Sequence, residues 1–217
     1  MATRVVDLSL PLSHEMPVHP EDPRIGFIKF AGIETHGCNM TQLVLSSHGG
    51  THVDSPYHFI ESGTSVDRVA LEKCIGPALV MDFSGMAGKR DLVVSDLAPR
   101  EEALTPGTRL LLRTDWYKRF PKPEYYTAFC GVSVELAQWL AERDIALIGV
   151  ETPAIHPKEY EAVHKAFLSR EIVIVEGLAN LDALTSERVT FAALPLKLEG
   201  VDGSPVRAVA IEGGEGL

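Results

Sequence analysis

The sequence predicts an α/β fold in which at least part of the sheet is parallel. Short, continuously apolar runs alternate with helix-periodic segments through the second half, the pattern of strands joined by crossover helices. The apolar and charged fractions, 45% and 23%, are those of an ordinary globular chain. In 217 residues there is no internal repeat, low-complexity block or Pro/Gly/Ser-rich linker, so one domain spanning residues 1–217 is expected.

The elements follow in order. Pro11, Pro17, Pro20 and Pro23 punctuate residues 11–24, which reads as an irregular, extended loop because proline removes backbone donors. Thr41–Ser47 (TQLVLSS) and Ala78–Phe83 (ALVMDF) are apolar and bounded by turn residues, as strands are. Arg109–Thr114 (RLLLRT) is a short apolar run. Ser133–Arg143 places Leu136, Ala137, Leu140 and Ala141 at helical spacing behind Ser133, a good N-cap. Ile145–Val150 (IALIGV) is a buried strand. Glu159–Ser169 is helical, with Tyr160, Val163, Ala166 and Phe167 on one stripe. Ile172–Val175 (IVIV) is a second buried strand, Val206–Ile211 adds a last one, and Gly213–Leu217 is expected to fray.

Composition excludes several function classes. Thirty acidic against twenty basic residues, with no Lys/Arg run, argue against a nucleic-acid or anionic-membrane partner. Cys38, Cys74 and Cys130 are far apart and never paired as CxxC, which suits a reducing cytosol and leaves no thiolate metal site. The first residues, Met1 to Asp7, contain no long apolar stretch, and no run approaches the ~20 residues that span a bilayer. A soluble, cytoplasmic protein is expected.

Three of the eight histidines fall within His48–His58, HGGTHVDSPYH, where chance placement gives about 0.4. Positions 48, 52, 54 and 58 are all even, so an extended backbone would point them one way. Pro56 and the Gly49–Gly50 pair argue against a continuous helix, and the glycines let the backbone bend so that His48 and His52 converge. Imidazoles with a carboxylate suit Zn²⁺, with Mn²⁺, Fe²⁺, Co²⁺ or Ni²⁺ as alternatives. The two oxygens of Asp54 also suit bridging of two ions. Closure must come from elsewhere. His164 on the predicted helix and Glu176 at the end of the IVIV strand are candidates, because a carboxylate ending a buried strand needs a partner. Glu151, ending IALIGV, is the rival by the same logic. His156 before Pro157 reads as a loop residue, and His14 and His36 show no partner pattern. Tyr57, Phe59, Trp116, Tyr117, Tyr125 and Tyr126 are candidates for an aromatic pocket or for ordinary packing.

HGGTHVDSPYHF, His48 to Phe59, resembles the HxGTHxDxPxHF signature of the putative-cyclase family of metal-dependent hydrolases, which includes bacterial kynurenine formamidases. Weaker likenesses follow in the family's order. Pro17–Asp22 resembles its Pro-x-Trp-Pro-Gly-Asp loop, with His19 at the Trp and Glu21 at the Gly. Glu151-Thr152-Pro153 is similar to its Asp-Thr-Pro, with Ala154 and His156 where formamidases show Ser and Asp. His164 and Val175-Glu176-Gly177-Leu178 are similar to its helix histidine and strand end, and Leu194–Lys197 with Asp202–Arg207 to its C-terminal block.

The resemblance implies a swivelling β/β/α-type fold, with a mixed, barrel-like sheet and flanking helices, and a homo-oligomer, dimer or tetramer. It implies that His48, His52 and Asp54 hold one metal and Asp54, His164 and Glu176 a second, with Asp54 and Glu176 shared. It thereby favours Glu176 over Glu151. Zinc, two ions per subunit, is expected, with manganese possible. His58 would be the proton donor and acceptor, and His19 a substrate-binding residue. A histidine at that place removes a stacking face and adds a polar ring.

The implied activity is hydrolysis of a small amide or formamide, foremost arylformamidase action on N-formyl-L-kynurenine. The alternatives are a hydrolase of another cyclic amide or lactone, and a metal-dependent binding protein without turnover. Serine hydrolysis is disfavoured, since the sequence contains no GxSxG.

Overall fold

Continuously apolar strands need cover on both faces, and a curled sheet supplies it. The computed structural model describes residues 3–20, 22–86 and 88–213. Its strands are β1 (Arg4–Asp7), β2 (Gly26–Ala31), β3 (Met40–Val44), β4 (His52–Asp54), β5 (Ile75–Asp82), β6 (Arg109–Arg113), β7 (Leu147–Val150), β8 (Val173–Glu176), β9 (Arg188–Ala192), β10 (Gly203–Pro205) and β11 (Val209–Glu212). Nine of them form one sheet in the order β1-β11-β9-β5-β6-β7-β8-β4-β10, curled into a half-barrel, while β2 and β3 form a separate ribbon. The strands from β5 to β8 run parallel. Every other pairing is antiparallel.

Alternation within each strand feeds two cores. Leu110, Leu112, Ile148, Val150 and Ile174 face the helices Val134–Ala141 and Tyr160–Leu168, meeting Leu136, Leu140, Val163 and Phe167. Leu111, Leu147, Val173 and Val175 face the hollow of the sheet with Val53, Leu178 and Phe191. Each fully buried Leu or Val contributes about 1.5–3 kcal/mol. Ser133 caps the first helix as its position suggested: its Oγ accepts from Leu136 N at 3.2 Å, worth about 1 kcal/mol.

The mixed sheet with flanking helices is the β/β/α-type architecture that the resemblance implied. Local departures have local causes. The strand expected at Thr41–Ser47 is Met40–Val44, and it pairs with β2 in the exposed ribbon rather than joining the core. Tyr160, placed on the buried stripe by spacing, is the first residue of the helix and is 49% exposed. The strands β1, β9 and β10 lack the long apolar runs that betray buried strands. Residues 11–24 contain no regular element among those described. Gly214–Leu217, expected to fray, and Glu21 lie outside the described residues. No helix among those described is long and apolar enough to cross a membrane.

Candidate metal centre

The signature segment is only partly extended. His52 and Asp54 lie on β4, two residues apart and hence on one face. His48 precedes them in a turn, and His58 ends a single 3₁₀ turn, Pro56–His58. Period-2 reasoning therefore holds for the central pair, and chain bending delivers the outer two. Antiparallel pairing places His52 opposite Glu176 on β8. His164 projects from the helix Tyr160–Leu168, and Phe59 stacks on its ring at 4.4 Å. Gly177 makes this crossing possible. Its φ is +65°, and a Cβ there would lie 2.5 Å from the Gly50 carbonyl oxygen.

Four side chains converge. His52 Nδ1 donates to Gly50 O at 3.0 Å, and His164 Nδ1 donates to Tyr160 O at 2.7 Å. A carbonyl only accepts, so each neutral ring carries its hydrogen on Nδ1 and turns a bare Nε2 lone pair inward. His52 Nε2 lies 3.3 Å from Asp54 Oδ1 and 3.4 Å from Glu176 Oε2. His164 Nε2 lies 3.4 Å from both Asp54 Oδ2 and Glu176 Oε1. Both Nε2 atoms and Asp54 Oδ2 are buried without a hydrogen-bond partner. Two buried carboxylates facing two imidazole nitrogens call for positive charge between them, which protons on the rings or a metal ion in their place would supply.

The spacing suits a metal ion. A tetrahedron with bonds of about 2.0–2.2 Å to nitrogen and oxygen has edges of about 3.3–3.6 Å, matching all four contacts. Each carboxylate also divides its oxygens between the two histidines, the disposition of a bridging ligand. His48 Nδ1 meets the same Asp54 Oδ1 at 2.8 Å, a hydrogen-bond length. Its Nε2 lies 2.6 Å from Asp202 Oδ2.

Electrostatics give the same picture. Burial raises Asp54 and depresses the histidines, yet the contacts overcome it. His164 and His48 hold Asp54 well below the carboxylate range. Glu176 is lowered by His164 and His52 against both burial and the Asp54 charge. Burial opposes charging of the histidines, but Asp54 and Glu176 push His164 up to about 10, and Asp202 and Asp54 push His48 up to about 9. The pocket attracts positive charge.

The remaining candidates separate cleanly. Glu151 stands apart from this cluster: its Oε2 accepts from the backbone N–H groups of Thr114 and Asp115. His156 Nδ1 accepts from Lys158 N and Glu159 N, so that ring anchors the entry to the helix. His14 accepts from Phe27 N, and His36 contacts Thr35 Oγ1. A small pocket opens beside His48, lined by His19, Val18, Asp22, Tyr125, Tyr126 and Pro153 among others. Tyr125 and Tyr126 thus belong to the pocket wall, with Trp116 packed behind them and donating to Tyr125 O at 3.0 Å, while Phe59 backs His164 and Tyr117 bonds to Asp182. Asp202, given no role in the sequence, stands against both His48 and His58. Asp202-Gly203 reads locally as a turn signal, so only the pairing of β10 with β4 reveals it.

A family profile described as putative cyclase matches residues 6–157. The chain is 34% identical over 212 residues to a kynurenine formamidase of Erythrobacter litoralis (strain HTCC2594), covering 96% of this chain and 94% of that one. It is 33% identical over 210 residues to a kynurenine formamidase of Bacillus cereus (strain ATCC 10987 / NRS 248), covering 94% and 95%. Among solved structures, isatin hydrolase A from Labrenzia aggregata, bound to benzyl benzoate, superposes with a TM-score of 0.86 at 28% identity, covering 96% and 93%.

Proposed function

The chain belongs to the putative cyclase family and is an arylformamidase-like hydrolase, and from that premise we propose that it hydrolyses N-formyl-L-kynurenine to L-kynurenine and formate at a dinuclear metal centre. The carrying observation is the pair of buried Nε2 atoms, each within 3.4 Å of both Asp54 and Glu176 and neither with a hydrogen-bond partner. His48, His52 and Asp54 would hold one ion and Asp54, His164 and Glu176 the other, with Glu176 shared. A donor set of imidazole and carboxylate, without thiolate, supports zinc, with manganese the second choice.

When bound, the metal supplies Lewis acidity: it activates water near neutral pH and offsets the negative charge developing on the carbonyl oxygen. The protein does the rest. The Gly50 and Tyr160 carbonyls fix the tautomers of His52 and His164, keeping each Nε2 free of hydrogen. His58, partly exposed at the rim, moves the proton: it receives one from the attacking water and delivers it to the departing nitrogen, which leaves poorly as an anion. His19, Tyr125 and Tyr126 form the wall against which an aryl group would lie.

We infer one catalytic domain over residues 1–217, a cytoplasmic location and a homodimer or tetramer. The ribbon supports the last point, since Ile28, Phe30, Met40, Leu43 and Val44 are all exposed on it.

Metal content by emission spectrometry and turnover of formylkynurenine, isatin and small lactones test the reading. Formylkynurenine is expected to be the best substrate, with activity lost on chelation and restored by Zn²⁺ or Mn²⁺. Protein purified without metal and unresponsive to it, a better lactone substrate, or full activity in His58→Ala would overturn it.

A further inference from the structure

We infer that Asp202 is a positioning residue that presents His58 for proton transfer, one carboxylate oxygen serving two imidazoles. This rests on the hydrolase reading above. Asp202 Oδ2 lies 2.6 Å from His48 Nε2 and 3.4 Å from His58 Nδ1. The two rings stack with centroids 3.9 Å apart and planes 29° from parallel, so neither turns without displacing the other.

The backbone behind Asp202 is held by the elements that carry the site. Its carbonyl accepts from Ser55 N at 3.0 Å and from Ser55 Oγ at 2.8 Å. The next residue, Gly203, pairs with Asp54 across β10 and β4. A Cβ at Gly203 would lie 2.8 Å from His48 Cε1, so glycine leaves room for the ring that Asp202 contacts.

An ionised carboxylate only accepts, so the facing nitrogen of each ring must carry hydrogen. His48 therefore keeps Nε2–H on Asp202, while its Nδ1, 2.8 Å from Asp54 Oδ1, carries hydrogen unless a metal ion takes its place. His58 turns Nδ1 towards Asp202, the nitrogen that would carry hydrogen, which leaves Nε2 for the reacting groups. Contacts of this kind are commonly long before substrate binds. During turnover His58 Nε2 takes a proton from water and gives it to the leaving nitrogen. Nδ1–H stays bonded to Asp202 throughout, and the carboxylate remains ionised, stabilising the transient imidazolium. No proton is gained or lost overall.

The test compares Asp202→Asn, Asp202→Ala and His58→Ala on formanilides and on 4-nitrophenyl formate, whose leaving group departs without a proton. For Asp202→Asn we expect kcat on formanilides to fall about 10- to 100-fold, with KM within about 2-fold. The ester rate should fall less than the formanilide rate, since the ester needs only the first of the two proton transfers, and His58→Ala/Asp202→Asn should be no slower than His58→Ala alone. In the metal-free wild type, ¹⁵N–¹H imidazole correlations should show His58 as the Nδ1–H tautomer, and Asp202→Ala should abolish that preference. Equal losses on ester and anilide with lost metal would place Asp202's action on His48 alone and overturn the inference, as would an Nε2–H His58 in the wild type. A wild type that binds no metal and cleaves neither substrate would instead overturn the hydrolase reading.

Discussion

Glu151→Gln should stabilise the protein progressively as pH rises from about 4.5 to about 7, with no further gain above that. The side chain is fully buried; its Oε2 accepts from Thr114 N at 2.7 Å and Thr114 Oγ1 at 3.2 Å, while Oε1 has no partner. Burial is the dominant influence, outweighing those hydrogen bonds and pushing the carboxyl from its ordinary 4.5 up to about 7. At about 1.4 kcal/mol per pH unit, the cost of ionising it in the fold reaches roughly 3 kcal/mol. The sign follows from proton counts. Below pH 4.5 both states hold the proton and nothing is lost; between there and about 7 the unfolded chain releases it first, so stability falls as pH rises. Glutamine has no charge to bury and keeps one oxygen for the Thr114 and Asp115 donors. Any cost of placing its amide where Oε1 now sits is the same at every pH and cancels from the slope. Urea unfolding of both proteins at about pH 5, 6, 7 and 8 should show their difference widening by up to roughly 3 kcal/mol, or about 6–12 °C in Tm. A difference that stays flat would refute the argument. Activity should be retained, since this carboxylate lies outside the candidate metal cluster.

Three further outcomes are expected. Stripping metal with a chelator should lower Tm by about 8–16 °C, the equivalent of roughly 4 kcal/mol of linkage at a thousandfold excess over Kd; calorimetry with and without added Zn²⁺ measures it, and an unchanged Tm would contradict a resident ion. Gly177→Ala forces a Cβ to within 2.5 Å of the Gly50 carbonyl oxygen at a φ of +65°. It should cost about 2–4 kcal/mol by chemical denaturation, against a few tenths if the chain simply relaxed. Ile28 and Val44 lie on one face of the ribbon, and replacing both by Asp should shift sedimentation velocity toward monomer with formylkynurenine turnover measured alongside. An unchanged oligomer would mean the ribbon is not the contact.

Much of the site was legible because its chemistry is concentrated in one segment. His52 and Asp54 share a face through the period of a strand, and that inference needed no partner. His164 and Glu176 were recognisable as ionisable groups at odds with apolar surroundings, but equally so was Glu151. The family resemblance favoured Glu176, and strand register gives the physical reason: Glu176 faces His52 across β4 and β8, whereas Glu151 turns its oxygen to the Thr114–Asp115 backbone. His48 and His58 owe their positions to a turn and a 3₁₀ segment, not to the extended chain that parity suggested.

The parallel strands β6, β7 and β8, the capped helix Ser133 introduces and the histidine-rich segment are properties of local pattern, and the sequence by itself determined them. The ribbon was beyond such reasoning, because TQLVLSS has the composition of a core strand and lies exposed only through the pairing of β3 with β2. Asp202 was equally so. It is 148 residues beyond Asp54 in the chain, and β10 beside β4 brings it to His48 and His58. Local sequence dictates which side chains a segment presents and in what rhythm. Which carboxylate closes a metal site depends on contacts between segments far apart, and those are decided by where the whole chain buries its apolar surface.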